Sequence, residues 1–324
     1  MEASPVAANP TSADLEGHRR ELTAYCYRML GSPFEAEDAV QDTLIRAWRS
    51  LDRFEGRSAL RSWLYRIATN VCLDMLKGRE RRARPMDLGP ASPPEAARLH
   101  ELPEVTWLEP LPDVMIAGAD DPAVIAESHE TIRLAFVAAL QRLPPRQRAA
   151  LILCEVLQWK AAEAAELLEM SVAAVNSALQ RARATLSEEK AGTAADRLDD
   201  EEKALLARYV EAFERYDMEA LTELIAEDAT QSMPPFDLWL HGREDILSWW
   251  VGPGGACRGS KVLPTTSANG SPAFAQYKPS ADGGWEPWAL QVLEVKDGRI
   301  VEFSFFLGTE TLFPLWGVPA RLDG

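Results

Sequence analysis

The sequence predicts a multidomain chain: two all-α helical domains separated by an acidic, proline-rich linker, then an α+β domain at the C-terminal end. Three observations carry that prediction. Apolar residues recur at helical spacing within residues 14–84 and again within 131–190. Between them, residues 85–130 hold eight prolines and 10 acidic residues against a single arginine, Arg98. After residue 198 a helical stretch gives way to short strand-like runs, the order expected of an α+β unit.

Composition fits such an assembly. The chain has 324 residues, 47% of them apolar and 26% charged, the balance of a globular protein. At roughly 100–200 residues per domain, two or three domains are expected. No run approaches the roughly 20 apolar residues of a membrane span, and residues 1–13 lack a basic-then-apolar leader pattern. A cytoplasmic protein with no membrane partner is therefore expected. Cys26, Cys72, Cys154 and Cys257 lie far apart, with no CxxC and no His at ligand spacing. Neither a disulfide framework, a metal site nor a cofactor is expected.

The net charge of −16 argues at first against a nucleic-acid binder, which usually carries a basic excess. Taken by segment, the charge is +3 over residues 14–84, −9 over 85–130, +2 over 131–190 and −11 over 191–324. Two mildly basic helical segments are hidden inside the total.

In the first, Ser32-Pro-Phe-Glu35 starts a helix: Ser32 can cap, Pro33 suits the first turn and Glu35 completes a capping box. Ala36, Val40, Leu44 and Trp48 then recur every four residues, widened by Ala47 and Leu51. The other face carries Glu37, Asp38, Gln41, Asp42 and Arg46, a pattern that by itself reads as a solvated surface. Leu60 to Leu76 is a second helical run with Trp63, Leu64, Ile67, Ala68, Val71 and Met75 apolar, and Arg57, Arg61, Arg66, Asn70 and Asp74 polar. It ends in Lys77-Gly-Arg-Glu-Arg-Arg-Ala-Arg84, suited to phosphate contact. Phe54, Trp63 and Tyr65 lie among the arginines and could stack on unpaired bases. An ordinary core with snorkelling arginines stands as the alternative.

In the second segment, Leu143-Pro-Pro-Arg-Gln-Arg148 opens a helical run to Leu157. A short helix over Lys160 to Leu168 follows, and after a brief turn Ser171 can cap the next helix. There Val172, Val175, Leu179, Ala182 and Leu186 form one buried stripe. Asn176, Ser177, Gln180, Arg181 and Arg183 face outward. Asn, Gln and Arg can make bidentate contacts to base edges. Short helix, tight turn and capped helix form the helix-turn-helix pattern, with a plain helical hairpin as the alternative.

Four motifs then coincide: Asp38-Ala-Val-Gln-Asp-Thr-Leu-Ile-Arg-Ala-Trp48, Arg61-Ser-Trp-Leu-Tyr-Arg-Ile-Ala-Thr-Asn-Val-Cys-Leu-Asp74, Leu143-Pro-Pro-Arg-Gln-Arg148 and Val175-Asn-Ser-Ala-Leu-Gln-Arg-Ala-Arg183. In order and spacing they resemble the extracytoplasmic-function sigma factors over residues 15–187. The resemblance implies sigma region 2 at 14–84 and region 4 at 131–190, with core RNA polymerase (its β and β′ subunits) and promoter DNA as partners. It places polymerase contact on Asp38, Gln41, Asp42, Arg46 and Trp48. It implies reading of the −10 element by Arg57, Arg61, Trp63, Asn70 and Asp74, with Arg79, Arg81 and Arg82 on phosphates. The −35 element would be read by Ser171, Asn176, Ser177, Gln180, Arg181 and Arg183. Lys160 and Glu169 depart from the family, which often has small residues there and Gly at the turn.

Leu198 to Ala226 reads as helical. Ala273–Tyr277, Trp288–Val295 and Ile300–Phe306 read as strands, with Lys296-Asp-Gly-Arg299 as a hairpin turn. Asp228-Ala-Thr, Met233-Pro-Pro, His241-Gly-Arg-Glu and these strands resemble the SnoaL-like relatives of ketosteroid isomerase over 198–324. That resemblance implies a sheet curled into a cone around an apolar pocket. Asp237, His241 and Gln291 are the polar candidates at its mouth, with Trp239, Phe274 and Trp288 as walls. For His241 a hydrogen-bonded structural role is favoured over a catalytic one. In the linker, Trp107-Leu-Glu-Pro-Leu-Pro-Asp113 looks like a Trp/Pro motif of sigma factors with this extension. Trp107, Leu108 and Pro110 would dock on the C-terminal domain and set the spacing of the DNA-reading domains.

The expected function is thus a promoter-specificity subunit, not an enzyme, regulated by its own C-terminal domain. A DNA-binding regulator that senses a small molecule, and a SnoaL-type cyclase or isomerase fused to DNA-binding modules, are the alternatives.

Overall fold

The computed structural model describes residues 10–54, 59–95, 99–116, 131–187 and 200–324. It divides into two compact units. One comprises residues 1–81, 115–120 and 134–192; the other comprises 82–114, 121–133 and 193–324.

The first unit is helical. Its elements are α1 (Ser12–Glu16), α2 (Arg19–Leu30), α3 (Pro33–Arg49), α4 (Leu60–Met75), α5 (Leu134–Gln141), α6 (Pro145–Leu151), α7 (Ala161–Leu168) and α8 (Val172–Ser187). The α3 start is built as its sequence predicts: the Ser32 hydroxyl accepts the Glu35 amide. Gly31, in left-handed conformation at φ 77°, turns α2 into that cap. Tyr25, Tyr27, Met29, Leu64 and Tyr65 are fully buried between α2 and α4. Tyr25 meets Tyr65 edge-on at 5.1 Å, and its hydroxyl bonds Thr69 at 2.7 Å. Tyr65 therefore belongs to the core, which removes it from the aromatics available to stack on bases.

Helices α5 to α8 share this unit through a buried polar joint. Arg148 of α6, 2% exposed, donates to the Met29 carbonyl at the end of α2, to Gln141 Oε1 at 2.6 Å and to the Leu143 carbonyl at 3.2 Å. Gln141 in turn donates to the Arg28 carbonyl at 3.2 Å. Trp159 meets Tyr65 at 5.4 Å, and Arg66 pairs with Glu166 at 3.1 Å. The α6 run does continue past Leu151, but as a π-helical turn over Ile152–Val156.

The second unit contains α9 (Asp200–Arg215), α10 (Met218–Leu224), β1 (Ile225–Ser232), β2 (Trp239–His241), α11 (Arg243–Val251), β3 (Lys261–Pro264), β4 (Ala273–Pro279), β5 (Trp285–Lys296), β6 (Arg299–Phe306) and α12 (Thr309–Trp316). The six strands form one sheet in the order β2-β1-β6-β5-β4-β3; only β1 and β6 run parallel. Asp297 and Gly298 both take positive φ, which gives the β5–β6 turn the twist of a tight hairpin. The single helix expected to Ala226 is broken: Tyr216 has φ 58°, Asp217 caps α10, and Ile225 and Ala226 already belong to β1. Tyr209, Phe213, Trp250, Phe303 and Phe305 stand in the core between helices and sheet.

The linker is bonded to the second unit along much of its described length. Residues 82–95 and 99–114 belong to the second unit and lie along its edge. Ser92 donates to the Trp239 carbonyl at 2.8 Å, Leu102 to the Pro235 carbonyl at 3.0 Å, and Asp237 to the His100 carbonyl at 3.1 Å. Further on, Asp113 donates to the Ser267 carbonyl at 3.0 Å, and its carboxylate accepts the Gly270 amide at 3.0 Å. Proline lacks an amide but keeps its carbonyl, and these bonds use the amides between the prolines.

Candidate functional site

The predicted residues fall on three helical surfaces, the linker and the C-terminal domain. On α3, the buried side is Ala36, Ala39, Val40, Thr43, Leu44 and Ala47. Asp38, Gln41 and Arg46 are exposed, and Asp42 is half-buried and pairs with Arg46 at 2.7 Å. Trp48 does not continue the buried stripe; it is 64% exposed, beside exposed Ile45. A spacing of four advances about 40° per step on a 3.6-residue helix, so three steps carry Trp48 out to the surface. The face once read as merely solvated thus combines charge with a large exposed indole.

On α4, Asn70 and Asp74 are exposed. Lys77 bonds Asp74 at 2.6 Å and holds its carboxyl below the usual range. Trp63 and Phe54 form a partly exposed ring pair at 5.0 Å. Arg61 is partly buried, bonded to Glu21 at 2.7 Å and set over the Tyr65 ring at 5.2 Å. Arg81 is exposed, and Arg79 is exposed but paired with Glu35. Arg82 departs from the phosphate expectation: it is 8% exposed, donates to the Trp107 carbonyl at 2.6 Å and faces Glu109 at 3.5 Å. A guanidinium so enclosed is committed to the linker. Arg57 lies outside the described residues.

Helices α7 and α8 meet at a tight turn. Glu169 closes α7 in left-handed conformation at φ 53°, so the side chain is accommodated at some backbone cost. The Ser171 hydroxyl accepts the Ala174 amide at 3.1 Å, capping α8. Val175, Ala178, Leu179 and Ala182 are buried, whereas Val172 is exposed. Val172 sits in the first turn, ahead of the packing, and Ala178 joins the buried side next to Leu179, a position the alternating three- and four-residue spacing does not include. Ser171, Asn176, Ser177, Gln180, Arg181 and Arg183 are all exposed; Arg183 pairs with Glu155.

Within the linker Trp107 is 3% exposed, and Leu108 and Pro110 are buried with it. The Trp107 indole N–H reaches the Leu102 carbonyl at 3.4 Å. The tightest tether to the domain is polar rather than apolar. Leu111 donates to Asn269 Oδ1 at 2.8 Å, Asn269 donates its own amide to the Leu111 carbonyl at 3.0 Å, and Asn269 Nδ2 reaches the Ile132 carbonyl at 2.5 Å. An alternating hydrophobic count could not find Asn269; a polar residue between Ala268 and Gly270 carries only a turn signal.

The second unit encloses a cavity of about 250 Å³ between α9–α11 and the sheet. Of the six predicted pocket residues only Trp288 lines it. Gln291 and Phe274 are buried in the core, where Gln291 accepts the Tyr209 hydroxyl at 2.9 Å and donates to Gln276 at 2.9 Å. Asp237 is turned toward His100, 3.5 Å away; Trp239 donates to the Gly89 carbonyl at 2.9 Å; His241 is exposed. The linker occupies the edge where Asp237 and Trp239 sit. The walls are instead Phe213, Trp249, Trp250, Trp288 and Phe305, with Gln231 and Gln276 as polar members. Gly254 is required there, because a Cβ would stand 2.7 Å from the Trp249 indole nitrogen.

Comparison with known proteins agrees with this division. Family models match Sigma-70 region 2 at residues 15–82, Sigma-70 region 4 at 133–186 and a SnoaL-like domain at 206–303. The chain is 48% identical over 316 residues to the ECF RNA polymerase sigma factor SigG of Mycobacterium tuberculosis, covering 96% of this chain and 84% of that protein. The chain belongs to the extracytoplasmic-function RNA polymerase sigma factors. The probable sigma factor SigI of the same organism is 24% identical over 95% of this sigma factor and 96% of its own length. The crystal structure of Mycobacterium tuberculosis SigJ superposes with a TM-score of 0.60 at 20% identity, covering 96% of this sigma factor and all of that chain, so the fold is common to both. In this sigma factor no helix among the described residues is long and apolar enough to cross a membrane.

Proposed function

We propose that this sigma factor acts in the cytoplasm by joining the β and β′ subunits of core RNA polymerase through the α3 face. In this reading Asp38, Gln41, Asp42, Arg46 and Trp48 form the polymerase contact. Asn70, Asp74, the Phe54–Trp63 pair and the arginines up to Arg81 engage the −10 element. Helix α8 enters the major groove at the −35 element with Asn176, Gln180 and Arg181 toward base edges. The observation that carries the reading is α8 itself: a capped helix whose inner face is buried on α6 and α7 while Asn176, Ser177, Gln180 and Arg181 stand exposed. Assembly with core polymerase tests it. The full chain is expected to form a stable complex that Trp48→Ala weakens without altering the helical spectrum; equal assembly by both would move the contact elsewhere.

The C-terminal domain is proposed to regulate rather than catalyse. Acid–base chemistry needs a tuned carboxylate or imidazole against the substrate. Asp237 and His241 lie away from the cavity. The linker bonded along the domain supports a regulatory role, because any change in that domain is felt by the segment joining the two DNA-reading regions. The charge supports it too, since blocks of −9 and −11 beside mildly basic readers repel phosphate until polymerase supplies attraction.

A further inference from the structure

Cys26 of α2 and Cys72 of α4, far apart in the sequence, meet in the core of the helical unit. The contacts between these two helices climb in step. Glu21 reaches Arg61 at 2.7 Å and Tyr65 at 3.2 Å; one turn on, Tyr25 meets the Tyr65 ring and bonds Thr69 at 2.7 Å. Helices α2 and α4 therefore run side by side in one direction, with Cys26 just past Tyr25 and Cys72 one turn past Thr69. There the Cys26 thiol donates to the Cys72 sulfur. Both residues are free cysteines, and both are 0% exposed.

Cys72 also faces a buried cation. Arg148 of α6 is 2% exposed, and its partners are neutral: the Met29, Gln141 and Leu143 carbonyls and Gln141 Oε1. Among the described residues no carboxylate pairs with it, and Cys72 is the ionisable group near enough to act on its charge. A buried cation without a counter-charge is costly, and a thiolate at Cys72 would supply one. Cys26 has the opposite character. Its bond to Cys72 and its burial push it well above its ordinary pKa, so it keeps its proton. One sulfur is placed to ionise and its neighbour to remain a thiol, the division of labour between an attacking and a resolving cysteine.

We propose that Cys26 and Cys72 form a peroxide-oxidised pair, in which Cys72 beside Arg148 is the nucleophile and Cys26 closes the disulfide. The Cys72 thiolate attacks one oxygen of hydrogen peroxide and the O–O bond breaks. The departing hydroxide takes the proton that the thiol gave up and leaves as water. Cys26 then attacks the Cys72 sulfenic acid: the S–S bond forms, the S–O bond breaks, and the hydroxyl departs with the Cys26 proton as a second water. Two thiols and one peroxide thus give one disulfide and two waters, the sulfurs losing the two electrons that the peroxide gains. The disulfide ties α2 to α4 beside the joint with α6, and it takes from Arg148 the group that can offset its charge. Full burial sets the pace. Hydrogen peroxide is small enough to enter through transient openings of the helices that exclude bulkier oxidants.

The test treats the full chain with a molar excess of hydrogen peroxide, blocks the remaining thiols with N-ethylmaleimide in denaturant, and weighs the tryptic peptides. Cleavage after the flanking basic residues puts Cys26 in peptide 21–28 and Cys72 in peptide 67–77. The two are expected joined, lighter than their sum by two hydrogens, and separated again by dithiothreitol. Cys26→Ser should leave Cys72 as a sulfenic acid that dimedone captures, whereas Cys72→Ser should leave Cys26 labelled by maleimide and untouched by dimedone. Dimedone capture of Cys26 in that variant, pairing of either thiol with Cys154 or Cys257, or both thiols still labelled by maleimide at the end of the exposure overturns the proposal. Should a serine variant fail to fold, the joined peptides of the unmodified chain decide alone.

Discussion

Leu111 and Asn269 hold each other by two hydrogen bonds, the Leu111 amide to Asn269 Oδ1 at 2.8 Å and the Asn269 amide to the Leu111 carbonyl at 3.0 Å. Asn269 takes φ 55°, a conformation Asn tolerates better than most residues, and its remaining amide reaches back to Ile132. One buried side chain therefore ties the linker at Leu111 and the chain just beyond it at Ile132, 21 positions apart. Asn269→Ala leaves the Leu111 amide and the Ile132 carbonyl short of a partner. A loss of about 1–3 kcal/mol for each group so stranded is expected in denaturant unfolding of the full chain. Amide exchange at Leu111 should accelerate in the same variant. Unchanged stability and exchange would show that the linker is held by other contacts.

The joint at Arg148 makes a parallel prediction for the helical unit. The guanidinium sits at the C-terminal end of α2, where carbonyls lack helical partners and the helix dipole favours a cation. Burial nonetheless lowers its pKa to about 10, and its Nε has no partner among the described residues. Arg148→Met keeps the bulk but strands the Met29 carbonyl and Gln141. Hydrogen exchange at the end of α2 and across α5 should rise, with a stability loss of about 1–3 kcal/mol. A variant with native exchange in both helices would contradict a latch at this position.

The exposed residues of α8 and of the α4 tail should respond differently to truncation. Asn176→Ala or Arg181→Ala should relax preference at individual base pairs of the −35 element by about 1–3 kcal/mol. Arg81→Ala should weaken holoenzyme binding to all promoters alike and lower the salt slope by about one. Competition binding with a promoter library at two salt concentrations separates the two. A uniform loss from Asn176→Ala would remove it from base reading.

Glu294 gives the pH dependence a sign. It is bonded to Ser271 and Arg133, both at 2.5 Å, yet burial outweighs these contacts and raises its carboxyl above the ordinary value. A carboxyl raised in the folded state binds its proton more tightly there than in the unfolded chain. Its stabilising contribution is complete below the unfolded value and is lost as pH rises through the folded one. Glu294→Gln, a neutral mimic, should therefore compare more favourably with the parent at pH 7.5 than at pH 4. Thermal melting at the two pH values checks this. A comparison that worsens toward pH 7.5 would mean that the Arg133 pair outweighs burial.

The helical unit was legible because helix signals are local: Ser32 and Pro33 announce α3, and Ser171 announces α8. The outer face of α8 was legible for the same reason, since Val175, Leu179 and Ala182 fix which way the helix turns. The last three strands follow from alternation and the Asp297-Gly298 turn, but β1 to β3 are short or follow a helix directly and give no such run. The cavity was not legible. Its lining comes from seven helices and strands, the turns between them and the linker, and Asp237 and Trp239, expected at its mouth and wall, are instead bonded to the proline-rich linker. Arg82 was misread for a related reason. A basic run says that its members carry charge, not which of them the chain folds over.

Run-off transcription tests the central claim most directly. Core RNA polymerase, a promoter library and the full chain are combined, with the chain or the core omitted in turn. The account predicts transcripts from a small promoter set only when both are present, and a shift in that set when Asn176, Gln180 or Arg181 is replaced. Promoter-independent transcription, or no dependence of initiation on the chain, would contradict it.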